Sequence, residues 1–314
     1  MPLPKLITRD HLEEGMDLAN QHCSHADAGL FGPGSLLWQL CRENLLTLAQ
    51  GRTLLLALSH SRFASLLSSE HDAVQRLQHT QVMLFRLIFG NLEQVLITLR
   101  NLRERQRTLL CVNESHSLLF IISAWSDSAL TVYQDVIEPL SSAHQERLFE
   151  EAMLLARILG IPEQHLPRNW HCWRHWWQAQ LHHPRHPTPR VRRLGQQLVR
   201  LRGYPGRAPY GSYLPLAGFQ LPQQYQQYFQ LPDANLDALR HYQQQLDRLM
   251  RLTRALPQQL RLAPAYREAL QRLEGRPRAD LTTRLLNRWW TGKSDLVNSG
   301  WSLPREARLP YYSG

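Results

Sequence analysis

The segment Arg76–Gly90, RLQHTQVMLFRLIFG, constrains the fold more than any other stretch of the chain. From Val82 to Phe89 it is almost continuously apolar, with no Pro or Gly before Gly90, which predicts a buried helix. Its entrance carries a guanidinium, an imidazole and a hydroxyl. Residues three and four apart share a helix face, so Arg76, His79 and Thr80 are expected to point the same way, with Met83 and Leu87 continuing the stripe. A buried cation needs an anion, so Arg76 calls for a partner: a carboxylate such as Asp127, or a ligand that carries one. The plain alternative is a helix N-terminus with a solvated first turn.

The chain around this segment reads as helix throughout. A polar lead-in spans residues 1–31, with a short helix near Asp10–Asn20. Gly32-Pro33-Gly34-Ser35 forms a turn, and its hydroxyl can cap the helix LLWQLCRENLLTLAQ. Gly51 is expected to punctuate, and Thr53–Leu67 to form a second apolar helix with His60 near its middle. Further helices are predicted over Leu92–Gln106, within Asn113–Pro139, and over Ser142–Leu159, the last stopped by Gly160 and Pro162. In the 113–139 segment His116, Phe120, Ser123 and Asp127 share one stripe. A Trp-rich helix covers Asn169–Leu181, and helix returns over Leu236–Ala255 and Pro264–Glu274. Residues 182–222 are rich in Pro, Gly and Arg and are expected to be irregular, and 275–314 form a C-terminal extension over the surface. The main helical domain therefore spans 32–274. Strand-type alternation never runs far enough to matter, so the fold class is all-α.

Composition narrows the class of protein. Hydrophobic content of 43% with 20% charged residues is globular, and 314 residues can bury a large core. The net charge of +10 lies mostly after residue 167, where a solubilising basic face is the commoner explanation. The Arg-rich 185–207 stretch with Tyr204 and Tyr210 has no nucleic-acid-binding module beside it, so nucleic acid is not an expected partner. Cys23, Cys41, Cys111 and Cys172 are scattered, as in reduced thiols. The N-terminus lacks an apolar signal core, and Arg86 and Glu93 interrupt the best candidate for a membrane span. A cytoplasmic protein without a transmembrane segment is expected.

Catalytic signatures are few. No Gly-rich phosphate loop, GxSxG elbow or HExxH motif occurs. His171 and His175 lie four apart with Cys172 between them, which suits zinc, but Trp170, Trp173, Trp176 and Trp177 mark a packing helix. His182, His183 and His186 fall in the Pro-rich stretch and are expected to be exposed. A lone His60 in an apolar helix reads as a hydrogen-bonded core residue, whereas His79 belongs to a polar cluster.

The order of several strings resembles the MpaB / latex-clearing-protein (rubber oxygenase) catalytic-domain family. These are GPGSLLW at 32–38, LLLALSHSRFASLL at 54–67, SSEHD at 68–72, RLQHT at 76–80 and IFGN at 88–91. SLLFIISAWSDS at 117–128, LFEEAMLLARILGIPEQHLP at 148–167 and a P-x-x-L-R-x-x-P string at Pro257–Pro264 complete the set, over roughly residues 30–270.

The resemblance implies a globin-like helical core, a b-type haem, and oxidation of a small hydrophobic, often isoprenoid or lipid-like, substrate with dioxygen. By position, Arg76 and Thr80 match the family's distal Arg and Thr, and His79 falls where latex-clearing members place a Lys. His79 is then the first candidate for an iron ligand or acid/base group, followed by His60 and His116. Gln106 stands where the family carries its proximal His, and Ile122 where many members have a His. Two functions follow from different classes: a haem-dependent oxygenase, or a non-catalytic member that holds a hydrophobic ligand or haem.

Overall fold

The computed structural model describes residues 6–104, 114–182, 188–200, 210–231, 236–257, 261–276 and 278–297. Among them are fifteen α-helices and no strand, so the all-α expectation holds. They are α1 (Arg9–His22), α2 (Leu36–Cys41), α3 (Thr47–Leu58), α4 (Ser61–Leu66), α5 (Glu70–Phe89), α6 (Leu92–Glu104), α7 (Ser115–Val136) and α8 (Ser142–Ile158). Then follow α9 (Trp170–His182), α10 (Pro189–Arg200), α11 (Tyr210–Phe219), α12 (Gln223–Phe229), α13 (Leu236–Ala255), α14 (Pro264–Leu273) and α15 (Leu281–Thr291).

The centre of the molecule is α3. Every residue from Thr47 to Leu58 is buried, because α7 and α11 both pack against it and α5 also approaches. A helix hydrophobic all round has no solvent face to offer, and LLLAL at 54–58 is such a sequence. The long α7 is buried along most of its length and α8 packs beside it. Gly160 ends α8 with φ of +91°, the left-handed conformation in which glycine carries no Cβ penalty.

Two strings matched to the family build the frame. In GPGSLLW, the Ser35 hydroxyl accepts from the Trp38 amide at 3.1 Å, and Glu151 of α8 accepts from the Leu36 and Leu37 amides at 2.9 and 2.7 Å. A carboxylate thus closes the positive end of α2. Trp38 then donates its indole N–H to the Ile88 carbonyl at 2.6 Å, fixing α2 on α5. In SSEHD, Ser69 caps α5 by accepting from the Asp72 amide, while the Ser68 amide donates to the Asp72 carboxylate at 3.0 Å.

Four helix boundaries differ from the sequence expectation. The helix expected over 36–50 breaks at Glu43, whose extended backbone pairs with Leu262, while the Ala263 amide donates to the Arg42 carbonyl at 2.6 Å. Gly51 does not punctuate: it sits inside α3, where an added Cβ would lie 2.9 Å from the Ala217 Cβ of α11. The helix expected over 53–67 divides at Ser59–His60. The Ser59 hydroxyl closes on the Leu56 carbonyl at 2.7 Å, and extended His60 starts α4 with its own carbonyl. The stretch 182–222, expected to be irregular, contains α10 and α11. Val191, Leu194, Gly195 and Leu198 recur at helical spacing and are buried, and Pro189 occupies the first helical position, where its missing N–H costs nothing.

The C-terminal stretch is tied to the body through α14. Fully buried Glu268 accepts from Asn287 at 2.8 Å and from the amides of Leu296 and Val297 at 2.9 and 3.1 Å. Arg272 donates to the carbonyls of Phe89, Asp27 and Val297. Burial pulls its pKa down to about 10 despite Asp27 and Glu268 nearby.

Candidate functional site

A cavity of about 20 Å³ lies where α3, α5, α7 and α8 meet. On α5 its wall is Leu77, Thr80, Gln81 and Leu84, one helical face at i, i+3, i+4 and i+7. The other walls are Gln50 and Thr53 of α3, Ile121, Ile122 and Trp125 of α7, and Leu155 of α8. The polar members are largely turned to internal bonds. Thr53 donates its hydroxyl to Ala49 and Thr80 to Arg76, each the carbonyl four residues back, at 2.7 and 2.8 Å. Gln50 is different: its Oε1 is buried and accepts no hydrogen bond from the described residues.

A second cavity of similar size adjoins the first and shares Gln50, Leu84 and Trp125 with it. Its remaining lining is more polar, with Cys41, Glu43, Asn44 and Thr47. Burial drives the Cys41 thiol pKa far above its ordinary value, with Glu151 adding to the shift, so this thiol is no nucleophile.

The three residues expected to act together are separated. Of Arg76, His79 and Thr80, Thr80 alone lines the cavity. Arg76 is not paired with Asp127. Its Nε lies 3.1 Å from Asp72 Oδ1, one turn back on α5, because the helix begins at Glu70 and provides an i,i+4 carboxylate. Burial opposes ionisation of Asp72, but the Ser68 amide and the Arg76 guanidinium outweigh it and lower its pKa. His79 lies about a quarter turn from Thr80 and is half-buried away from the cavity wall.

Asp127 belongs to a residue the sequence reading passed over. Arg52 of α3 reaches Asp127 Oδ2 at 2.7 Å, donates to Ser128 at 2.9 Å and to the Gln220 carbonyl at 2.9 Å. Its signal was present: a lone cation in an apolar helix, one residue from Gly51. Gln50, Thr53 and Gln81 were missed for a related reason, since amides and hydroxyls within apolar helices draw no attention until the helices cross.

His60 and His116 are brought together, with ring centroids 6.4 Å apart. Phe120 stands 5.2 Å from His60 and Trp176 stands 5.8 Å from His116. His116 is exposed at the start of α7. On α9, Trp173 and Trp177 are buried while His171, Cys172 and His175 face solvent. Gln106 lies outside the described residues. No group of three or more His, Cys, Asp or Glu among the described residues could hold a metal ion. No helix among them is long and apolar enough to cross a membrane.

Fold and site together define a helical protein that encloses a small, mostly apolar cavity at the crossing of its central helices. The chain belongs to the family described as ER-bound oxygenase mpaB/B'/rubber oxygenase, catalytic domain, which matches residues 24–255. No curated protein and no solved structure shows significant similarity to it. Membership carries an oxygenase-type scaffold with a small-molecule substrate and dioxygen. The cavity as described does not fit a b-type haem: its volume is on the scale of a water molecule, and the described residues of its wall include no imidazole, thiolate, thioether or phenol. Ile122 falls on that wall.

Proposed function

We propose that this family member takes a small hydrophobic molecule bearing one hydrogen-bond donor into the cavity between α3, α5, α7 and α8. The observation that carries the reading is the buried Gln50 Oε1, which has no donor among the described residues, on a residue that lines both cavities. A buried acceptor left unsatisfied costs about 1–3 kcal/mol, and a ligand hydroxyl removes that cost. Leucine, isoleucine and tryptophan walls exclude water and favour a hydrocarbon body. A ligand larger than water needs Gln50, Leu84 and Trp125 to move, which joins the two cavities into one.

The test compares geraniol with the hydrocarbon myrcene in thermal melts of wild type and Gln50→Leu. Ligand binding raises the melting temperature by mass action. Geraniol is expected to raise that of wild type more than myrcene does, and Gln50→Leu to abolish the difference. Equal shifts for both compounds in both proteins would sink the assignment of Gln50.

The second reading is oxidation of that hydrophobic substrate with dioxygen, any haem being held outside this cavity, whose described lining does not fit one. Family membership favours it, and so does the neighbouring imidazole pair His60–His116. Arg76 and His79 would then act from outside the present cavity wall, with Thr80 on it. Hemin titrated into wild type, His60→Ala, His79→Ala and His116→Ala reads this directly. A Soret band that one His substitution alters supports the oxygenase reading, and a spectrum of free hemin in all four leaves the ligand-binding one.

A further inference from the structure

The two faces of α15 differ sharply. Its inner face buries Thr283, Asn287 and Trp290, and Asn287 is held by Glu268. Its outer face presents Leu281, Leu285 and Trp289, which are 69%, 59% and 49% exposed. These positions are i, i+4 and i+8, so they form one stripe about 12 Å long. Three of the most exposed large hydrophobic side chains among the described residues therefore line up on a single helix.

The surroundings of the stripe are cationic. Arg288 is exposed beside it, and Arg278 and Lys293 are exposed just beyond the two helix ends. The nearby acids are already engaged: Asp280 with Arg267 at 3.3 Å, Asp295 with Arg284 at 3.8 Å, and Glu274 with Arg276 at 3.3 Å. Leucine and tryptophan on one face with a basic rim is the pattern of a helix that lies in a membrane interface.

We propose that the outer face of α15 docks the protein on an anionic lipid bilayer, with Leu281, Leu285 and Trp289 at the acyl boundary and Arg288 on headgroup phosphate. Charge selects this occupant over the others. A second copy would set the same cationic rim against itself. The chain's own residues 298–314 carry Arg305 and Arg308 against a single Glu306, so they bring no negative complement. The net charge of +10 acts in the same direction as the local rim.

The experiment is co-sedimentation of the full chain with phosphatidylcholine vesicles made with and without phosphatidylglycerol, at low and high salt. Wild type is expected to bind the anionic vesicles, weakly or not at all the neutral ones, and to be released by salt. Leu285→Glu and Trp289→Ser are expected to weaken binding by about tenfold or more, since each removes a large apolar side chain from the bilayer contact. Arg288→Glu is expected to weaken binding and flatten its salt dependence. All three positions are exposed, and circular dichroism checks that the variants keep the wild-type fold. Wild type that ignores anionic vesicles, or variants that bind as wild type does, would overturn the proposal. So would a dimer that Leu285→Glu converts to monomer on sizing, which identifies the face as a self-interface.

Discussion

Arg52 Nη1 lies 2.7 Å from Asp127 Oδ2, joining α3 to α7 where both side chains are almost fully withdrawn from water. The guanidinium also donates to the Ser128 hydroxyl and the Gln220 carbonyl, so two hydrogen bonds accompany the close charge contact with Asp127, whose Oδ2 is itself outside hydrogen-bond geometry. Arg52 stands in α3 between the cavity-wall residues Gln50 and Thr53, and its pairing with Asp127 ties α3 to α7 beside the cavity. The corresponding pair on α5, Arg76 with Asp72, is local to one helix and about one-fifth exposed on each side.

Removing either partner of the two pairs should therefore have different consequences. Arg52→Met leaves Asp127 buried without its cation and is expected to cost about 3–5 kcal/mol in urea unfolding. Arg76→Ala is expected to cost about 1 kcal/mol or less, as partly exposed pairs do. Equal losses would mean that Arg76 has a structural role its Asp72 contact does not explain.

Asp280 gives the C-terminal helix an acid-sensitive start. Burial opposes its ionisation, but the Thr283 amide and Gln271, which donate to it, with Arg267 nearby, lower its pKa below the ordinary carboxylate value. A depressed pKa contributes stability above the unfolded-state value, and that contribution is lost as pH falls through the folded-state pKa. Asparagine still caps a helix, so Asp280→Asn isolates the charge. Its melting temperature should lie below that of wild type at neutral pH, with the gap closing in acid.

Alkali should act through buried phenols. Burial pushes Tyr133, Tyr228 and Tyr242 up to about 12, with Glu138, Tyr225 and Asp135 respectively adding to the shift. Because these pKa values are raised above the unfolded value of about 10, the stability they confer is complete below that pH. It is lost as pH rises towards the folded value near 12. Melting temperature should fall across this window, and Tyr133→Phe should fall less steeply than wild type.

The helix α10 owes its place to a glycine. A Cβ on Gly195 would run into the ring of fully buried Phe229 on α12. Gly195→Ala gains helix propensity but overpacks this contact, and a net loss of about 1–3 kcal/mol is expected. A stabilised variant, measured by denaturant midpoint, would show that the ring has room to move.

Much of the fold is written locally. The runs LLLAL and SLLFIISAW determine buried helices because no polar face interrupts them. Ser35, Ser69, Gly160 and Pro162 mark helix ends through capping and backbone chemistry that acts over a few residues. The amphipathic spacing of α10 was equally local, but its surrounding Pro and Arg residues concealed it.

Partnership between distant residues is not written locally. Whether a buried cation meets Asp72 or Asp127 depends on which helices cross, and the crossing assigned Asp127 to Arg52, 75 positions away in the chain. The breaks at Glu43 and His60 likewise arise where other segments offer better bonds than continued helix, Leu262 and Ala263 in the first case. The sequence by itself determined the helical class, the family frame and the caps, since propensity and spacing act within a few residues. Only the tertiary structure decided that Thr80 rather than Arg76 or His79 reaches the cavity, and that Gln50 on the same wall keeps a buried Oε1 with no donor among the described residues, because side-chain direction at a helix crossing is set by the partner helix.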